Sequence, residues 1–114
     1  MKTLEIGAVR GRHEMPVDKF VFDEAIANFD IKAIEDHVNT VMNKEVFRHD
    51  GKTFDEVRLY VTGLTIVTTS VVKWCFNNGV GLSLMHYDSV KQDYVEQCMW
   101  ARVVVIWKIY TLTT

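Results

Sequence analysis

Two short stretches hold residue types suited to anion chemistry. Arg10, Gly11, Arg12 and His13 stand together near the start, and Thr62, Gly63, Leu64 and Thr65 stand together in the middle. A guanidinium is a planar fork that donates paired hydrogen bonds to phosphate oxygens. An imidazole titrates near neutrality and can pass a proton. In the second stretch, Gly63 lets the backbone turn sharply and approach a ligand, and the threonines add hydroxyls. If a helix starts there, its first amides are unpaired donors at the positive end of the peptide dipole, where an anion is favoured. Each stretch also has an ordinary reading. Gly63 can simply make a tight turn with Thr65 capping a helix, and the arginines can sit in a solvated loop paired to Glu14 and Asp18.

A third group is His86-Tyr87-Asp88. His86 is a candidate general acid or base, and His13 is a second. Asp88 can hold a metal, orient a base or cap a turn, and turn chemistry accounts for it equally well. His37 and His49 receive no role. Trp74, Phe76, Trp100 and Trp107 suit core or subunit contacts better than stacking platforms.

The elements that must position these groups follow from hydropathy. Residues 3–9 and 56–62 read as strands, residues 18–22 as a short strand, and residues 80–87 as another. Asp30 stands where an N-cap belongs, and Ile31, Ile34, Val38, Val41 and Met42 recur at helical spacing, predicting a helix over 31–46. Residues 64–77 are rich in Thr and Val, which favours a strand. They are long for a strand, however, and stop at Asn77-Asn78-Gly79, which ends helices, so they are read as a helix. After a turn at about 89–93, the segment 94–100 leads into residues 101–113, read as a long final strand. Strand, helix, strand, helix, strand implies a mostly parallel sheet, because a parallel return needs a crossover. Ligands of such sheets bind beyond the carboxyl ends of the strands, where both anion-binding stretches emerge.

The chain has 114 residues, enough for one domain (1–114), with 48% hydrophobic and 25% charged residues. The composition is globular and excludes a disordered chain. A formal charge of −2 argues against duplex nucleic acid as a partner. Gly63, the threonines and Lys73 interrupt the apolar runs, so no membrane span is expected. Cys75 and Cys98 lie in apolar runs without a secretory leader, and both are expected as buried thiols in a reducing cytoplasm. No metal-type cysteine pair is present, and no cofactor or metal is expected. A long apolar last strand on so small a domain calls for a partner, so a homodimer or a dimer-based higher oligomer is expected.

From Leu59 to Gln97 the order is strand, Thr-Gly-Leu-Thr, apolar helix, Asn-Gly, strand, His86-Tyr87-Asp88, then Tyr94, Val95 and Gln97. This resembles the CRISPR-associated Rossmann fold (CARF), closest to the short stand-alone ring nucleases and related phage proteins that bind cyclic nucleotides. The resemblance covers roughly a third of the chain, and the Arg10–Pro16 loop is compatible with it. It implies a single small α/β domain, Rossmann-like, with a mostly parallel sheet, about two helices and an added C-terminal strand. It also implies a cyclic oligonucleotide held across a symmetric dimer, with Thr62, Gly63, Leu64 and Thr65 along the phosphates. Arg10, Gly11, Arg12 and Lys91 are further candidate binding residues. Some relatives of this type cut the ring with a histidine in the helix after the turn and an Asp and a basic residue after the next strand. Here that helix carries Thr68, Thr69 and Ser70 and no histidine; Asp88 matches, but Ser89, Val90 and Lys91 follow it with no arginine. His86 or His13 would have to substitute for the histidine. Three functions follow: a sponge or sensor for a cyclic nucleotide messenger of antiviral defence, a ring nuclease (a phosphodiesterase), or an oligomeric assembly protein without a nucleotide.

Overall fold

Leu4, Ile6 and Ala8 alternate along the first strand, β1 (Thr3–Val9), and all three are buried. The same alternation places Val57 and Leu59 of β3 (Glu56–Tyr60) and Leu82 and Leu84 of β4 (Gly81–Asp88) in one core. In this computed structural model, which describes residues 2–11, 14–48 and 51–101, a short β2 (Phe20–Phe22) lies beside β1. A fifth strand, β5 (Asp93–Trp100), lies beside β4. The sheet order is β2-β1-β3-β4-β5, with the first four strands parallel and β5 antiparallel. The chain is thus a small α/β domain of the Rossmann-like type, with five strands and two helices among the described residues.

Helix α1 (Ile31–Val46) buries Ile34, Val38, Met42 and Val46, a stripe of one residue per turn. Asp30 caps it: the carboxylate accepts from the amide of Ala33 at 3.3 Å. Helix α2 (Thr65–Asn77) buries Val67, Val71, Trp74 and Cys75 against the same core. Its strand-like composition is overridden by that burial, and the buried Ser70 satisfies its hydroxyl on the carbonyl of Ile66 at 2.7 Å. The helix stops at Asn78, whose side chain donates to the carbonyl of Trp74 at 2.8 Å, and Gly79 follows at φ 70°.

One expectation changes, the burial of Cys98, and two bear in part on residues outside the described set. The extra C-terminal strand is β5, formed by residues 93–100, whereas the long strand read over 101–113 lies outside the described residues except for Ala101, which is in no strand. Cys98 is exposed; only Cys75 is buried, and both are free thiols. The reason is alternation: Cys98 pairs with Ser83 on the sheet face that carries no helix. Of the aromatics read as core or subunit contacts, Trp74 is buried, Phe76 is 41% exposed and rests edge-on against Trp100 with ring centres 5.7 Å apart, and Trp107 lies outside the described residues. Among the described residues no helix is long and apolar enough to cross a membrane.

The helix-free face is built differently from the core face. Gly7 lies under Phe20, and a Cβ placed there would meet the Phe20 ring at 2.6 Å. Further along, Tyr94 meets Tyr60 and Tyr87 edge-on, with ring centres 4.9 and 5.4 Å apart. The Tyr60 hydroxyl donates to Glu5 Oε1 at 2.9 Å. Burial first, then the bond to Glu5 and its charge, pushes the Tyr60 hydroxyl from 10.0 up to about 12.

Two outcomes follow. Gly7→Ala forces the Phe20 ring aside and lowers stability by about 1–3 kcal/mol, read as a lower urea midpoint; Phe20→Leu in the same chain recovers part of it. The raised Tyr60 value means that the unfolded chain ionises first. This contribution is whole below about pH 10 and is lost as pH rises toward 12. The fall in melting temperature across that window is shallower in Tyr60→Phe than in the parent, and equal slopes would remove the ionisation of Tyr60 as its cause.

Candidate functional site

Parallel pairing of β1 with β3, with Gly7 opposite Tyr60, brings Arg10-Gly11 and Thr62-Gly63 out at the same rim of the sheet. The chain leaves β1 toward β2 on one side and leaves β3 toward β4 on the other. The crevice between such diverging connections is where open α/β sheets accept ligands. β4 runs on beyond Met85, the partner of Tyr60, so His86, Tyr87 and Asp88 reach the same rim.

The N-terminus of α2 has no side-chain cap, and its N-cap residue is Leu64, in extended conformation at φ −88°, ψ 90°. Ser, Thr, Asp or Asn is favoured there, by about 1 kcal/mol over an apolar residue. The amide of Val67 bonds back to the carbonyl of Leu64 at 3.1 Å, and the amide of Leu64 reaches Thr62 Oγ1 at 3.4 Å. Among the described residues nothing accepts from the amides of Thr65 and Ile66. These two donors point out of the rim at the positive end of a 13-residue helix. The expectation that Thr65 is itself the cap is therefore corrected: it is the first helical residue.

Gly63 has a different role from the one its type suggests. Its φ is not in the left-handed region, and a Cβ built on it meets nothing within 4 Å. The chain turns here without needing glycine, and the space in front of residue 63 is open. Gly11, by contrast, sits at φ 87°, where a side chain is strained.

Arg10 is committed away from α2. Its guanidinium lies 4.4 Å above the Phe20 ring, on the helix-free side, and pairs with Asp23 at 3.2 Å and with the carbonyl of Asp18 at 3.5 Å. The backbones of the two turns share a rim, but this side chain faces the other side of the sheet. Arg12 and His13 lie outside the described residues.

His86 continues the Leu82–Leu84 row toward the end at which α2 begins, and its Nε2 lies 2.7 Å from Gln97 Oε1. An amide oxygen only accepts, so Nε2 is the donor in this pair. Asp88 Oδ1 accepts from the amides of Val90 and Lys91 at 2.9 and 3.2 Å, which closes the β4–β5 turn. Lys91 is exposed at the tip of that turn. No hydrogen bond joins His86 to Asp88. Among the described residues the rim thus offers free amides, a hydroxyl and an imidazole, and it assembles no acid–base pair.

Sequence reasoning passed over three partners: Asp23 for Arg10, Gln97 for His86, and the missing cap at Leu64. Only the last had a local signal, an apolar residue just before the helix. The other two are contacts across strands. A crevice of about 550 Å³ lies at the sheet edge between β2, residues 23–30 and α1, lined by Phe22, Ile26, Ile34, His37 and Val41 with Glu24 and Lys44. Its apolar floor and mixed charges do not suit a phosphate. Compared with protein-family models, with curated proteins and with solved structures, the chain matches none.

Because Leu64 is already extended and the Thr65 amide is unpaired, proline fits at position 65. Thr65→Pro keeps the melting temperature of the parent or raises it slightly. A drop of many degrees would show that the Thr65 amide has an internal partner.

Proposed function

We propose that the chain binds a phosphate-bearing ligand at the rim between β1 and β3. The ligand class we favour is a cyclic nucleotide or oligonucleotide messenger of prokaryotic antiviral defence, held in the cytoplasm by a sponge or sensor. The observation that carries the reading is the uncapped start of α2 at the switch point of the sheet, with the Thr65 and Ile66 amides unclaimed. A phosphate oxygen supplies the acceptor that the chain's own Leu64 cannot. The open space before Gly63 admits it. The cyclic nucleotide class rests on the resemblance of residues 59–97 to CARF proteins.

A second copy of the chain fits the same rim. The three most exposed large apolar side chains, Val90 at 91%, Phe29 at 68% and Ile31 at 59%, all lie there: Val90 in the β4–β5 turn, the other two at the start of α1. A two-fold pair meeting at the rim covers them and presents two copies of each turn to a symmetric ligand. Binding without cleavage is favoured over ring cleavage, because Asp88 is spent on its turn and the partner of His86 is a neutral amide.

A panel of cyclic dinucleotides and cyclic oligonucleotides, with linear controls, tests this by thermal shift. A bound ring raises the melting temperature by mass action. Thr65→Pro deletes one amide donor to a charged acceptor, worth about 1.5–3 kcal/mol, and so weakens binding roughly 10- to 100-fold. Mass spectrometry then recovers the ring intact. No shift with any nucleotide, or equal affinity in folded Thr65→Pro, removes the rim as the site; linear fragments would make the protein an enzyme.

A further inference from the structure

We propose that the groove along the seam between α1 and α2 binds a neutral polyhydroxyl ligand, a mono- or disaccharide. This does not rest on the rim reading. Two adjoining hollows run along the seam, of about 540 and 230 Å³, and Asn39, Trp74 and Asn77 line both. Asn43 and Asn78 line the smaller one. The chain's asparagines are Asn28, Asn39, Asn43, Asn77 and Asn78. All but Asn28, which lines the crevice at the sheet edge, meet in this groove. Asparagine is a poor helix former, because its side chain competes for backbone bonds. Its concentration along two helices therefore needs a reason.

Two of the four have a structural one. The Trp74 indole donates to Asn43 Oδ1 at 3.1 Å, and Asn78 Nδ2 donates to the Trp74 carbonyl at 2.8 Å. An indole only donates and a carbonyl only accepts, so each carboxamide is held in one orientation. Asn43 keeps its amino group for a ligand, and Asn78 keeps its oxygen. The side chains of Asn39 and Asn77 have no hydrogen-bond partner among the described residues, and all four asparagines are exposed. The groove thus holds an oriented donor, an oriented acceptor and two unclaimed carboxamides.

The remaining lining says what does not belong there. Its charged residues cancel and pair with one another: Lys32 with Asp36 at 3.1 Å, and Lys73 with Glu35 across the seam. No cation of the lining is left for a phosphate or a carboxylate. Trp74 is 3% exposed, so it offers no ring face on which a base could stack. An apolar ligand would strip water from the carboxamides and leave them unpaired. A hydroxyl donates and accepts at once, as a carboxamide does, and a sugar carries several on one neutral frame. The larger hollow also falls within the range of small-ligand sites, about 300–1,000 Å³.

The test is an NMR titration of the whole chain with glucose, N-acetylglucosamine, maltose and trehalose, each taken through the millimolar range. At least one sugar shifts the side-chain carboxamide signals of Asn39, Asn43, Asn77 and Asn78 and the indole signal of Trp74. The carboxamide of Asn28 and the indole of Trp100 stay in place. Asn39→Ala, where alanine is the better helix former, keeps the melting temperature and weakens binding about fivefold. Asn77→Ala does the same, and Asn28→Ala binds like the parent. The proposal is overturned if none of the four sugars moves these signals, if shifts spread evenly over the chain, or if both groove variants bind like the parent. It is overturned as well if inorganic phosphate or acetyl-triglycine amide moves the same signals further than any sugar, since the occupant would then be an anion or a peptide backbone.

Discussion

The parallel pairing of β1 with β3 is the constraint on which the rest of the molecule depends. Five residue pairs, from Thr3 opposite Glu56 to Gly7 opposite Tyr60, align two segments more than fifty positions apart. Once they run the same way, both must exit at the same rim, and the chain must return along the outside to begin again. Helix α2 is such a return, and its start is therefore fixed above the end of β3. The register also fixes which side chains share a face, since one step along a strand reverses them all. The separation of core from helix-free face, and of Arg10 from the α2 amides, descends from this alignment.

The two helix starts show what the protein does with its stability. Both begin at the rim, one after β2 and one after β3. Asp30 satisfies α1 from within the chain, while α2 begins on Leu64 with two amides unclaimed among the described residues. Leu64 instead packs against the core cluster. A cap there would gain about 1 kcal/mol and would fill the position where an anion binds. Apolar packing at that residue and open donors on either side are obtained together. Such a local departure from good helix chemistry, at the sheet's switch point and nowhere else along α2, is the kind of inconsistency that marks a working surface.

The two sheet faces divide the labour. One is apolar and sealed by α1 and α2; the other carries Glu5, Glu96, Tyr60, Tyr94, Arg58 and, above Phe20, Arg10. Arg58 illustrates the cost of the second arrangement. Its Nε is buried without a hydrogen-bond partner among the described residues, although its terminal nitrogens reach two carboxylates. A buried N–H left so forfeits about 1–3 kcal/mol, a strain the apolar face does not bear.

Much of this was legible in the residues themselves. The spacing of Ile34, Val38 and Met42 after Asp30, the alternation along residues 3–9, and the Asn-Gly stop after residue 77 each specify an element through neighbours within a turn or two of chain. From those elements the mostly parallel sheet follows, because returning parallel strands demand crossovers. The sequence by itself could not direct side chains across strands. Asp23 and Gln97 are ordinary polar residues until folding sets them against Arg10 and His86, and Cys98 looks buried until alternation turns it outward. Periodicity reports on contacts close along the chain, whereas pairing across a sheet is chosen by the packing of the whole core. The elements and their order were therefore decided locally, and the partners of the charged and titratable groups were decided only by the tertiary structure.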